Sequence, residues 1–147
     1  MERNLKILLI DDEPEILDLL RMMLKTEGYD VSTSRCGKEA LNKLEKASYD
    51  AVVCDYLMPL MDGITLLKQV RNNKDYTPFV FFSGDAHETH QIKMKNLGAY
   101  EFIEKPHVEL LAGVLAKTIK HNESVKILNP ELDEKDEFAN ILFSSCG

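Results

Sequence analysis

The feature that most constrains the fold is a set of short apolar runs, each separated from the next by a segment with helical periodicity. The clearest runs are residues 6–10, 51–54 and 79–82. Runs this short, and apolar almost throughout, are typical of parallel strands that are buried on both faces. Residues 29–34 alternate between apolar and polar side chains and residues 100–103 form a weaker run. Both are therefore predicted to be strands at the margins of the sheet.

The segments between these runs have the period of amphipathic helices. Between the first two strands, Leu17, Leu20 and Leu24 lie on one helical stripe, and Pro14 stands where a first helical turn tolerates proline. Similar patterns predict helices at residues 13–26, 37–47, 62–72, 86–96 and 107–121. Five strands alternating with five helices predict an α/β fold of the (βα)5 type, in which a doubly wound five-stranded parallel sheet carries helices on both faces.

Length, charge and cysteine content exclude several classes of protein. A chain of 147 residues suits one continuous core, and its formal net charge of −7 argues against direct nucleic acid binding by this chain. No apolar run approaches the roughly 20 residues of a membrane span, and the first residues do not form a signal peptide. The spacing of Cys36, Cys54 and Cys146 fits neither a disulfide framework nor a zinc site. We therefore expect a cytoplasmic protein that does not associate with membranes.

The composition changes near the C-terminus, where residues 131–138 are mostly acidic with a few spaced apolar side chains. We predict a first domain at residues 1–122 and an acidic C-terminal segment at residues 123–147. The second segment is either a flexible tail or linker stub, or an extra helix that packs on the domain or forms a dimer contact. The sequence is compatible with both alternatives.

Polar side chains suited to metal and phosphate chemistry follow four of the predicted strands. They are Asp11, Asp12 and Glu13 after the first strand, Asp55 after the third, Ser83 after the fourth and Lys105 after the fifth. The carboxyl ends of parallel strands share one edge of the sheet, which is where such folds place their sites. Carboxylates brought together there would repel one another without a cation, and hard oxygen ligands of this kind suit Mg²⁺.

The same residue types suit an aspartyl-phosphate mechanism. Asp55 directly follows a buried run, so its carboxylate is positioned and partly desolvated, as a nucleophile requires. Lys105 would neutralise charge on the transferred group, and the Ser83 hydroxyl would donate a hydrogen bond to a phosphoryl oxygen.

Over residues 4–121 the chain resembles the receiver domain of two-component response regulators. The matching pieces are the acidic pair Asp11-Asp12, the segment 55–63 (DYLMPLMDG), the dipeptide Ser83-Gly84, the run 98–102 (GAYEF) and the dipeptide Lys105-Pro106. The resemblance implies a flavodoxin-like sheet with strand order 2-1-3-4-5. It also implies a phosphorylation-activated switch rather than an enzyme acting on a separate substrate, one that catalyses its own phosphoryl transfer and dephosphorylation.

The resemblance assigns a role to each of these residues. Asp55 accepts the phosphoryl group, and Asp11, Asp12, Asp55 and the backbone carbonyl of Leu57 hold Mg²⁺. The peptide bond before Pro106 is expected to be cis. Ser83 and Phe102 form the switch, although many relatives have Thr and Tyr at these two positions.

The resemblance also implies the partners. The phosphodonor is a sensor histidine kinase or a histidine phosphotransfer protein, and the exposed side of the first helix, including Met22, is one candidate surface for its docking. The output passes through the face formed by the fourth helix, the fifth strand and the fifth helix, either to a downstream protein or to a missing effector domain. A homodimer is a further expectation.

Two other functional classes fit the residues less well. A phosphohydrolase with an aspartate nucleophile generally carries a second acid two residues later, where this chain has Leu57. A flavin or nucleotide module would need a phosphate-binding loop rich in Gly or Ser/Thr after the first strand, whereas the acids there would repel phosphate without a metal. His87 and His90 are three apart on a predicted helix and could hold a metal, but exposed helical histidines are common.

Overall fold

The computed structural model describes residues 3–84 and 86–128, in which five strands alternate with five helices. The elements are β1 Lys6–Ile10, α1 Pro14–Thr26, β2 Asp30–Ser34, α2 Gly37–Lys46, β3 Ala51–Cys54, α3 Gly63–Asn72, β4 Phe79–Ser83, α4 Glu88–Asn96, β5 Glu101–Glu104 and α5 Leu111–Leu128. A short 3₁₀ turn, Val108–Leu110, leads into α5. All five predicted strands and all five predicted helices are present in the predicted order.

The five strands form one sheet in the order β2-β1-β3-β4-β5, and every adjacent pair is parallel. This confirms the predicted doubly wound arrangement with strand order 2-1-3-4-5. The central strands β3 and β4 are buried at every residue, whereas β2 at the margin is only partly buried, as its alternating sequence predicts.

Each face of the sheet has its own apolar core, because successive residues of a strand point to opposite faces. Leu8 lies in the core shared with α2, α3 and α4, and Leu9 lies in the core shared with α1 and α5. The stripe predicted for α1 is buried at Leu17, Leu20 and Leu24. Each fully buried side chain of this kind stabilises the fold by about 1.5–3 kcal/mol relative to an exposed one.

The chain departs from the predicted boundaries mainly at its C-terminal end. α5 continues past residue 121 to Leu128, and Asn122 and Val125 are buried along it. Residues 123–128 therefore extend the last helix of the domain. Residues 129–147, which hold Cys146 and most of the predicted acidic segment, lie outside the described residues, so the alternatives for that segment stay predictions. Within the described ranges, no helix combines the length and apolar character that crossing a membrane requires.

Candidate functional site: an acidic group at the carboxyl edge of the sheet

Four carboxylates meet where β1 and β3 end. Asp11, Asp12, Glu13 and Asp55 each offer one oxygen, and these oxygens all lie within 4.8 Å of one another. The strand register explains the arrangement: Ile10 of β1 lies opposite Cys54 of β3, so the next residue of each strand emerges at the same place. The backbone N–H of Asp55 donates to the Ile10 carbonyl at 2.9 Å, which fixes the two strand ends side by side.

The four carboxylates differ in exposure. The side chains of Asp11 and Asp55 are only 4% and 6% exposed, whereas that of Glu13 is 58% exposed. Asp12 is intermediate. In this set of four carboxylates, referred to below as the acidic group, Asp11 and Asp55 are therefore buried and Glu13 lies at the solvent side.

Lys105 lies over this group from the end of β5. Its Nζ is 2.8 Å from Asp11 Oδ2, 3.3 Å from Asp55 Oδ2 and 3.6 Å from Glu13 Oε1. The backbone N–H of Lys105 donates to the Ser83 carbonyl at 2.9 Å, which continues the pairing of β4 with β5 beyond the strand end. The peptide bond between Lys105 and Pro106 is cis, as the resemblance implied.

The electrostatics of the site are dominated by burial and by an excess of carboxylates over ammonium groups. Burial raises the pKa of Asp11, and the charge of Asp55 raises it further, although the hydrogen bonds from Lys105 and from the Glu13 N–H act in the opposite direction. Burial acts to lower the pKa of Lys105, but its hydrogen bond to Asp11 and the charges of Asp11 and Asp55 outweigh this, and the net shift is upward. The two upward pKa shifts thus have different causes, which are burial for the Asp11 carboxyl and the neighbouring carboxylates for the Lys105 ammonium.

Ser83 stands at the end of β4 with an unusual hydroxyl. The residue is 1% exposed, and within the described part of the chain its Oγ has no hydrogen-bond partner. An unpartnered buried hydroxyl is costly and rare, and such groups often mark a ligand position. Gly84 follows, and a Cβ at that position would meet the Lys105 side chain at 3.9 Å.

The loop between β3 and α3 is held close to the acidic group. A Cβ on Gly63 would lie 2.5 Å from the Asp55 carbonyl oxygen and 2.6 Å from the Phe81 ring, so only glycine fits there. Asp62 caps α3 by accepting from the Thr65 N–H at 2.8 Å. Leu57 lies in this loop two residues after Asp55 and is 53% exposed.

The structure thus brings Asp11, Asp12, Asp55 and Lys105 together and places Ser83 on the neighbouring strand end. Sequence reasoning did not assign a role to Glu13, although its position directly after the acidic pair was a visible signal. Phe102 is partly buried against the core on the α4 side. Met22 is 68% exposed on α1.

His87 and His90, for which the sequence favoured a surface position over metal binding, do not form a complete metal site with other described residues. The rings of His87 and His90 lie 5.9 Å apart between centroids. Across residues 3–84 and 86–128, the four carboxylates are the only set of three or more side chains that could jointly hold a metal ion. The histidine pair therefore has no third ligand among them.

Comparison with known proteins now identifies the family. The model of the response regulator receiver domain matches residues 7–127. The chain belongs to this family. Receiver domains are switches of two-component signalling systems and generally bind Mg²⁺ at an acidic pocket, and the acidic group of this receiver domain is consistent with such a site.

A curated relative and two solved structures illustrate the similarity. The response regulator SaeR of Staphylococcus epidermidis is 35% identical over 132 residues, which cover 86% of this chain but 57% of SaeR. This receiver domain therefore spans little more than half the length of that relative. The chemotaxis protein CheY4 of Vibrio cholerae is 31% identical, with a TM-score of 0.74, and the match covers 79% of this chain and 99% of CheY4.

The second structure is the response regulator TrrA of Thermotoga maritima in complex with Mg²⁺ and BeF. It is 30% identical, with a TM-score of 0.70, and the match covers 78% of this chain and 98% of TrrA.

Proposed function

We propose that this receiver domain is a phosphorylation-activated switch whose phosphoacceptor is Asp55. The observation that carries the proposal is the position of the Asp55 carboxylate, which is buried at a strand end, 3.3 Å from the Lys105 ammonium. The adjoining strand β4 ends at Ser83, whose buried hydroxyl has no partner among the described residues. This combination supplies a fixed nucleophile and a cation for the incoming charge.

In the proposed reaction, a carboxylate oxygen of Asp55 attacks the phosphorus of a phosphohistidine. The P–N bond breaks, its electron pair stays on the imidazole nitrogen, and the phosphoryl group becomes an acyl phosphate on Asp55. Attack by water later breaks the P–O bond to Asp55, releases orthophosphate and restores the carboxylate. The chain promotes both steps on itself and is not an enzyme acting on a separate substrate.

The surrounding side chains have distinct tasks in this proposal. Lys105 moves its ion pairing from the carboxylates to the phosphoryl oxygens. The Ser83 hydroxyl donates a hydrogen bond to one of these oxygens, and Phe102 repacks as Ser83 moves. The altered surface is the face formed by α4, β5 and α5, and Ile92 of α4 is about half exposed.

The donor set fits Mg²⁺, because several carboxylates face a single ammonium group and all the available ligands are hard oxygens. The residues that would hold the ion are Asp11, Asp12, Asp55 and the Leu57 carbonyl. When bound, the ion supplies positive charge that offsets the phosphoryl group.

The proposed phosphodonor is a sensor histidine kinase or a histidine phosphotransfer protein. Because the chain spans about half of its curated relatives, the output is either a separate downstream protein or an effector domain outside residues 1–147. We expect no direct nucleic acid binding by this chain, and a homodimer stays an expectation. A receiver domain at residues 1–122 and a cytoplasmic location also stay predictions, and the free thiols of Cys36 and Cys54 suit a reducing compartment.

The proposal is tested by incubating the chain with acetyl phosphate and Mg²⁺ and measuring intact mass. We expect one added phosphoryl group, and none when the metal is chelated or when Asp55 is replaced by Asn. Asp62→Asn is a matched control, since it removes a nearby carboxylate outside the acidic group and should leave labelling intact. Labelling of Asp55→Asn at the rate of the unaltered chain would reject Asp55 as the acceptor.

A further inference from the structure

Glu13 is the most exposed member of the acidic group, and helix formation does not explain where its side chain lies. It is the N-cap residue of α1, but its carboxylate makes no capping hydrogen bond. Its backbone N–H donates to Asp11 Oδ1 at 2.9 Å, and its carbonyl accepts from the Leu17 N–H at 3.2 Å. Both bonds are made by the backbone and would form with any residue other than proline at this position.

The Glu13 carboxylate instead lies beside the cation of the site. Its Oε1 is 3.6 Å from Lys105 Nζ, the same ammonium that pairs with Asp11 and Asp55. Because the Glu13 side chain is 58% exposed while those of Asp11 and Asp55 are almost buried, it adds negative charge at the solvent side of the group. A phosphoryl group that comes from solvent toward Asp55 and Lys105 meets this charge at short range.

We propose that Glu13 is a specificity-determining residue that sets the charge preference of the site for its phosphodonor; this rests on the proposed role of Asp55. Glu13 repels the incoming phosphoryl group and shares the attraction of Lys105, so the penalty grows with the negative charge of the donor. A small dianion such as acetyl phosphate meets the full repulsion. A protein carrying phosphohistidine can place a basic side chain against Glu13, and the carboxylate then favours the protein donor.

The test compares two small donors of different charge on the full chain at saturating Mg²⁺. Acetyl phosphate is a dianion at neutral pH and phosphoramidate carries one net negative charge. In phosphoramidate a positive charge on the amine offsets part of the charge of the phosphoryl group, so its repulsion by Glu13 and the rate gained on removing Glu13 should both be smaller. For Glu13→Gln we expect labelling by acetyl phosphate to quicken about fivefold and labelling by phosphoramidate about twofold, with both factors shrinking at high salt.

Two further variants separate charge from other effects. Glu13→Asp keeps the charge and should stay within about twofold of the unaltered chain with either donor. Glu15→Gln removes an equal charge from the first turn of α1, outside the acidic group, and should leave the ratio of the two rates unchanged.

Three results would each overturn the inference. Glu13→Gln could speed labelling by both donors equally, it could leave both labelling rates unchanged, or Glu15→Gln could change the ratio of the two rates as much as Glu13→Gln does. Adding Asp55→Asn to every variant keeps this outcome distinct from failure of the proposed function. If labelling is lost with Asp55→Asn while the donor ratio does not respond to Glu13, only the charge preference fails. Labelling that persists without Asp55 removes the proposed function itself.

Discussion

Replacing Lys105 by Met should destabilise the metal-free protein by about 3 kcal/mol, at the low end of the 3–5 kcal/mol measured when one partner of a buried ion pair is removed. Methionine keeps most of the apolar stem, so the change mainly removes the charge. At an effective dielectric constant of 20, the Lys105–Asp55 distance of 3.3 Å corresponds to a gross attraction of about 5 kcal/mol. The desolvation of Lys105, whose side chain is only 15% exposed, offsets part of this attraction.

The loss should exceed the strength of one contact, because the variant leaves four mutually close carboxylates without a cation. Adding Mg²⁺ should recover part of the stability, since an ion that binds only the folded state stabilises it. The assay is urea unfolding with EDTA and with Mg²⁺. Glu39→Gln, which removes the exposed ion pair with Lys43 at 3.3 Å, serves as the control and should cost at most about 1 kcal/mol. A loss for Lys105→Met no larger than this control, or no response to Mg²⁺, would refute the electrostatic account of the site.

Three further predictions follow from the same geometry. The raised pKa of Asp11 stabilises the metal-free fold below the unfolded pKa, and this contribution is lost as pH rises through the folded pKa. Thermal melts of the metal-free protein should show this pH dependence in the unaltered chain and lose it in Asp11→Asn. Identical pH profiles for the two proteins would contradict the prediction. Ser83→Ala should change the melting temperature little or raise it, because it removes a buried hydroxyl without a hydrogen-bond partner among the described residues. Labelling by acetyl phosphate should fall. Marked destabilisation would show that the hydroxyl already makes a hydrogen bond in the folded protein. Gly63→Ala should cost about 1–3 kcal/mol in urea unfolding, because its Cβ would lie 2.5 Å from the Asp55 carbonyl oxygen, and an unchanged stability would mean that the loop moves aside freely.

The strands and the site edge were predictable because they depend on local patterns. Residues 51–54 and 79–82 are apolar without interruption, which required burial on both faces, and the residue after each parallel strand had to emerge at the same edge. Asp11, Asp55 and Lys105 could therefore be brought together from sequence, although they are 44 and 50 positions apart along the chain.

The features that were not predicted depend on contacts between distant segments. The continuation of α5 to Leu128 is stabilised by burial of the apolar side chain of Val125, and the local sequence there has little helical periodicity of apolar residues to reveal it. The proximity of Glu13 to Lys105 depends on the entry angle of α1 as well as on the strand register. The Ser83 hydroxyl has no partner among residues 3–84 and 86–128 because the neighbouring strands and loops there offer none, and a pattern of residue types does not carry that information.

The most direct test of the central claim is to locate the phosphoryl group chemically. After exposure to acetyl phosphate and Mg²⁺, reduction with borohydride converts an acyl phosphate on aspartate into homoserine, which peptide mass mapping identifies by position. The account predicts homoserine at position 55 alone. Homoserine at position 11 or 12 instead, or no reduced aspartate in a chain that has gained phosphate, would contradict it.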